Sequence, residues 1–126
     1  MTRTLAVLCA LTVGLVLTSP AGAQSTDHSA TYYLPGCRDF ANRKSGDNLF
    51  LQGECVGVLE GLLATASLLD PKFVVSRSCM PDSATVAQIV TVVVRWFDQH
   101  PERWLEDFRA SALLALHDAW PCPTGN

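Results

Sequence analysis

The chain has 126 residues, 48% of them hydrophobic, with nine Lys/Arg against twelve Asp/Glu and a formal net charge of −3. That length holds one domain and not two. A slightly acidic balance argues against nucleic acid or an anionic membrane surface as the partner, and leaves a basic protein partner open.

Residues 1–4 carry one side-chain positive charge, Arg3, and residues 5–17 are an almost purely apolar run too short to span a bilayer. Thr18-Ser19-Pro20 breaks the run and Ala21-Gly22-Ala23 follows. This is the n-region, h-region and A-x-A cleavage site of a secretory signal peptide, so residues 1–23 are expected to be removed by a cut between Ala23 and Gln24. A buried N-terminal helix is the competing reading. A lipoprotein is set aside because Cys9 sits inside the apolar run with no cleavage site just before it. Such a signal implies export across a bacterial-type inner membrane into the periplasm, with no membrane span after cleavage. Removing 23 of the 126 residues leaves 103, with eight Lys/Arg against twelve Asp/Glu and a net charge near −4.

Residues 24–32 are expected to form a disordered lead-in, because up to Thr31 they are polar and contain no large apolar side chain. The remainder reads as an all-α domain of four helices. The first is short, over 35–43, with Pro35 in its first turn, where a missing N–H costs nothing. Leu34, Cys37, Phe40 and Ala41 make one face at helical spacing. Lys44-Ser45-Gly46-Asp47 is a turn.

The second helix is the longest, over 48–69, with Asp47 available as its cap and Asp70-Pro71 as its stop. Gly53, Gly57 and Gly61 recur at a spacing of four. Each costs about 1 kcal/mol of helix propensity relative to Ala, so three on one stripe imply that another backbone packs closely there. The same spacing occurs in membrane dimerisation motifs. Glu54 and Glu60 interrupt the run, which favours a buried helix of a soluble bundle.

Residues 72–84 form an irregular link. The third helix opens on Thr85-Val86-Ala87-Gln88, a capping box. Val86, Ile89, Val90, Val93, Trp96 and Phe97 form its core stripe; β-branched residues would also suit a strand, but the capping box and the 3–4 spacing favour helix. His100-Pro101 marks a turn, and Pro101 and Glu102 suit the first turn of the fourth helix. Leu105, Phe108, Ala112, Leu116 and Ala119 recur at helical spacing before Pro121. Trp104 and Trp120 read as core or dimer-seam residues rather than ligand-stacking groups.

With Cys9 removed in the signal, Cys37, Cys55, Cys79 and Cys122 remain. An even count in a small exported domain reads as two disulfides. No C-x-x-C or His-x₃-His pair supplies metal-ligand spacing, so no metal and no other cofactor is expected. Four cysteines allow three connectivities, and hairpin geometry favours one. Cys37 and Cys55 are each nine residues from Gly46 in the first turn, while Cys79 and Cys122 flank a hairpin centred on His100-Pro101. Antiparallel helices pack with axes about 8–10 Å apart, and two Cα radii of about 2.3 Å bring that gap within bridging range. The expected pairs are Cys37–Cys55 and Cys79–Cys122, which gives two disulfide-stapled helical hairpins.

Catalysis finds little footing. His28 lies in the lead-in, His100 in a turn and His117 on the last helix, tied by no motif to a nucleophile. Asp118 beside His117, and Glu106 beside Asp107, are adjacent on a helix, so their side chains point apart. Phosphate loops, nucleophile elbows and metal motifs are all missing, and a domain this small offers little room for a deep pocket. The chain reads as a non-enzyme.

Gly53-Glu54-Cys55-Val56-Gly57-Val58-Leu59-Glu60-Gly61 resembles the Cys-centred, Gly-spaced second helix of the Rap/Tai immunity proteins. So does the stretch from Cys79-Met80-Pro81 through Thr85-Val86-Ala87-Gln88 and Val92-Val93-Val94-Arg95-Trp96-Phe97 to His100-Pro101-Glu102. Ala115-Leu116 with Ala119-Trp120-Pro121-Cys122-Pro123 is similar to the family's "AL..AFPCP" close. Trp104-Leu105 replaces a usual Leu-His, and Asp82-Ser83-Ala84 replaces a Gly-containing segment. The resemblance covers most of residues 33–123. It implies a periplasmic, disulfide-bonded homodimer that binds and blocks a peptidoglycan amidase injected by a type VI secretion system. Residues 70–85 and 98–103 are the candidate contact loops. The alternative is a periplasmic stress or chaperone-like helical protein with no paired toxin.

Overall fold

The computed structural model describes residues 27–44, 48–69 and 78–123. Four helices follow in order: α1 (Ala30–Ala41), α2 (Leu49–Leu68), α3 (Val86–Gln99) and α4 (Phe108–Ala119). A single 3₁₀ turn, Pro101–Arg103, joins the last two. Among the described residues the only extended pairing is two isolated bridges, so the fold is all-α as expected. The expected signal peptide and its cleavage site at Ala23 and Gln24 lie outside the described residues, as do Asp47, the proposed cap of α2, and residues 70–77.

α1 and α2 form the first hairpin, and its staple is the expected one. Cys37 and Cys55 are bonded with their Cα atoms 5.3 Å apart, and both side chains are wholly buried. One residue earlier, Gly36 meets α2 backbone to backbone. A Cβ built there would sit 2.8 Å or less from Leu51, nearest its carbonyl oxygen, so no larger residue fits without moving a helix. Side-chain hydrogen bonds tie the start of α2 back to the end of α1: Gln52 Nε2 donates to the Lys44 carbonyl at 3.0 Å and Asn48 Nδ2 to Asp39 Oδ2 at 3.2 Å.

α3 is the helix whose sequence pattern translates most directly. Ile89, Val90, Val93, Trp96 and Phe97 are buried along one face, and Thr85 and Gln88 form the reciprocal capping box. The core then closes through rings. Tyr33 of α1 stacks on Phe108 of α4 with centroids 4.8 Å apart, and Phe108 stacks on Phe97 of α3 at 5.6 Å. Leu34, Leu59, Ala112, Ala115 and Leu116 fill the space around them.

The second hairpin is also closed as expected, by Cys79–Cys122 with Cα atoms 4.8 Å apart. Both cysteines lie outside the helices. The bridge joins two short extended pieces, where Ser78 pairs with Pro121 and the Cys79 N–H donates to the Trp120 carbonyl at 2.8 Å.

Three local expectations are corrected. The lead-in does not run to residue 32, since α1 already begins at Ala30, and Pro35 stands inside that helix rather than in its first turn. A proline there removes the hydrogen bond to the fourth residue back. Tertiary contacts offset that loss. Ala30 N–H donates to the Glu106 carbonyl at 3.1 Å, Thr31 N–H to the Trp104 carbonyl at 2.9 Å, and Phe108 N–H returns a bond to the His28 carbonyl at 2.8 Å. α4 begins at Phe108, not at Pro101, because Asp107 accepts from the N–H groups of Arg109 and Ala110 and starts a new helix there. Leu105 falls in the connection and is 86% exposed instead of buried.

The third correction concerns α2. It is long and apolar enough to cross a membrane by length and composition, yet it buries only Gln52, Cys55 and Leu59. Outside the helix's own backbone, no described residue places an atom within 4 Å of a Cβ built at Gly53, Gly57 or Gly61. The close backbone approach inside the subunit is made by Gly36, on the other helix. The glycine stripe faces outward because Cys55 and Leu59 turn the opposite side of α2 toward the core.

The tight fit at Gly36 makes a direct prediction. Gly36→Ala forces α1 away from Leu51 and lowers the unfolding free energy by about 1–3 kcal/mol, the usual scale for overpacking. Urea denaturation of the oxidised protein checks this; an unchanged midpoint would show that the helices are not in contact there.

Candidate partner-binding surface

The residues that could carry chemistry are occupied in structural roles. The four cysteines are paired in disulfides. His100 sits with its ring stacked on Trp96, centroids 4.2 Å apart, and Nδ1 2.7 Å from the Trp96 carbonyl oxygen. The His28 ring lies with Nδ1 3.5 Å from the Tyr33 hydroxyl, and His117 lies in the last turn of α4. Asp118, expected to point away from His117, accepts from the Trp96 indole N–H at 2.9 Å. Among the described residues no group of His, Cys, Asp or Glu could hold a metal ion.

The helix junctions are similarly held. Trp104 Nε1 donates to the Phe97 carbonyl at 2.8 Å, and the Arg38 guanidinium lies 5.1 Å from the Trp104 ring centre while pairing with Asp98 at 2.6 Å. Cation–π contact and ion pair together dock the 98–104 connection onto α1, a link between distant residues that no spacing rule announces. Asp107 is the most perturbed acid. Its hydrogen bond from the Arg109 guanidinium, helped by the N–H groups of Ala110 and Arg109, holds its carboxyl at about 2 against an ordinary 3.8. The phenol of Tyr32 is raised by donating to Glu54 Oε2 at 2.7 Å, which ties α1 to α2 at the molecular surface.

Two surfaces among the described residues suit a partner. The first is the outward side of α2, where Leu49 is 68% exposed, Phe50 71% and Leu68 86%, with the three glycines between them. The second is a groove of about 580 Å³ between the end of α1, residues 81–85, the start of α3 and Trp120. Of the contact loops expected from the sequence, 98–103 is described and exposes Asp98, Gln99, Pro101 and Glu102; of 70–85, only 78–85 is described, and it forms one wall of the groove. The outward side of α2 was not read as a surface at all. Gln52, Glu54 and Glu60 are scattered around an otherwise apolar helix, so no single polar face reveals which side stays uncovered.

The family model of the Rap1a immunity proteins matches residues 14–122. The chain belongs to this family. Neither the curated proteins nor the solved structures gave a match. As a Rap1a-family immunity protein it has a protein partner, an effector, and its family is generally non-enzymatic. Exposed apolar side chains suit contact with a protein partner.

The electrostatics at α4 carry a pH prediction. Because the Asp107 carboxyl is depressed in the fold, the stability it contributes is complete above about pH 4 and disappears as pH falls through about 2. Its side chain is 40% exposed, so the effect is modest. Asp107→Ala lowers stability at neutral pH by about 1 kcal/mol through loss of the cap. Asp107→Asn keeps an uncharged cap acceptor, so its deficit relative to the parent shrinks on acidification. Chemical denaturation at neutral pH and near pH 2 measures the difference.

Proposed function

We propose that this protein is a periplasmic immunity protein that binds a peptidoglycan amidase delivered by a type VI secretion system and blocks its cleft, acting as a homodimer. Family membership over 109 of 126 residues carries the reading, since it implies an effector as partner. Two disulfides fit an oxidising compartment, and the signal-like residues 1–23 supply a route there. A rigid helical edge bearing apolar side chains is well suited to occluding a substrate cleft, because pre-organisation reduces the entropy lost on binding.

The outward side of α2 supports the dimer. A row of Gly53, Gly57 and Gly61 lets a second helix approach closely, and Phe50 and Leu68 would be covered by the same contact. The exposed side of α2 also suits a chaperone-like protein, which would suppress aggregation of unrelated clients at low pH.

Co-expression in the periplasm tests the main reading. Cells producing a neighbouring amidase effector are expected to survive when this protein is present and to lyse without it. Lysis at the same rate with every neighbouring effector would sink the immunity reading. For the dimer, Gly57→Leu places its Cβ clear of the other described residues of its own subunit and weakens self-association by at least about tenfold, roughly 1.4 kcal/mol. Sedimentation analysis decides; a monomeric parent protein removes the dimer, and an unaffected variant moves its seam off α2.

A further inference from the structure

The two disulfides are placed very differently. Cys37 and Cys55 are wholly buried between α1 and α2 and belong to the hydrophobic core. Cys79 is exposed and Cys122 half-buried, and neither belongs to that core. Thiol–disulfide exchange requires a thiolate to reach a sulfur atom, so access ranks the two bonds before any other factor.

What each bond holds also differs. Cys37–Cys55 joins two helices at their closest approach. Cys79–Cys122 joins an irregular segment before α3 to the residues just after α4. Around it the described backbone contributes the Ser78–Pro121 bridge and the bond from Cys79 N–H to the Trp120 carbonyl. The contact between α3 and α4 has its own supports. Phe97 stacks on Phe108, the Trp96 indole donates to Asp118, and Val93, Ala112, Ala115 and Leu116 are buried. The N-terminal end of α4 is fastened by Asp107 and by the His28 carbonyl. Pro81 and Trp120, each two residues along the chain from a cysteine of this bridge, line the 580 Å³ groove.

We propose that Cys79–Cys122 is a redox-sensitive latch: a dithiol opens it while Cys37–Cys55 stays closed, releasing residues 78–85 from the end of α4 and reshaping the groove without unfolding the helices. In the first step a thiolate of the dithiol attacks the sulfur of Cys79, the more exposed residue of the pair, the S–S bond breaks, and Cys122 leaves as a thiolate. The second thiol of the reagent then displaces Cys79 and closes the reagent's own disulfide. Two electrons pass from the dithiol to the protein, and its two thiol protons end on Cys79 and Cys122. The reductant is a protein dithiol of the thioredoxin-like class or a small dithiol. The latch does not rest on the effector reading, since it concerns only this chain.

The experiment uses the full oxidised protein, treated with graded dithiothreitol, quenched by alkylation and mapped by mass spectrometry. Cys79 and Cys122 are expected to label at least about tenfold faster than Cys37 and Cys55, in line with the access dependence of exchange. Far-UV helicity stays constant through that first phase while tryptophan fluorescence changes, and Trp120→Phe removes most of the change. All four cysteines labelling together, Cys37 and Cys55 labelling first, or helix lost with the first pair would each overturn the proposal. A Cys79→Ser/Cys122→Ser double variant provides the open state without reductant. It is expected to keep the helical signal and the Cys37–Cys55 bond; if it is unfolded, the bridge is a structural staple and not a latch.

Discussion

The close approach of α1 and α2 at Gly36 is the constraint on which the other elements depend. With no Cβ at that position the two backbones meet at Leu51, and the Cys37–Cys55 bond immediately behind fixes the register. The contact aims Tyr33 and Leu34 inward, where they meet Phe108 and the α3 stripe. It also fixes which side of α2 is spent on the core. Cys55 and Leu59 must face α1 and α3, so the glycine stripe and Phe50 must face out. A surface suited to a partner is thus a geometric consequence of how the core is assembled.

A second set of forces organises the opposite end. The first two residues of α1 and His28 just before it pair with the connection between α3 and α4, through bonds to the carbonyls of Trp104 and Glu106 and from the Phe108 N–H. Arg38 reinforces it from α1 by covering Trp104 and pairing with Asp98. Most polar groups at this end are therefore engaged in positioning helices. The outward side of α2 and the groove beside Trp120 remain available to a protein partner, which membership of an immunity family implies.

Much of this was readable from local pattern. The α3 stripe and its capping box appear where the spacing puts them, because a periodic apolar face and a Thr/Gln pair are local signals. The disulfide pairing also follows from chain order, since two hairpins bring only certain cysteines together. Element ends were less legible. Pro35 resembled a helix start and Pro101 another, but the real starts lie at Ala30 and Phe108. In the first case the extra turn is supported by backbone bonds to residues more than seventy positions away. In the second, Asp107 outcompetes Pro101 because its carboxylate satisfies two N–H groups that a proline leaves open.

The amino-acid order alone was sufficient for the all-helical class, the number of helices, the cysteine partners and the family likeness, because each rests on periodicity, spacing or motif. It could not say which side of α2 would be covered. The few polar residues of that helix, Gln52, Glu54 and Glu60 among them, do not gather on one face, so no amphipathic contrast marks an inside. Packing settled the matter: Gly36 admits Leu51, Cys37 captures Cys55, and the three glycines that looked like an internal contact are left at the surface, where another molecule can reach them.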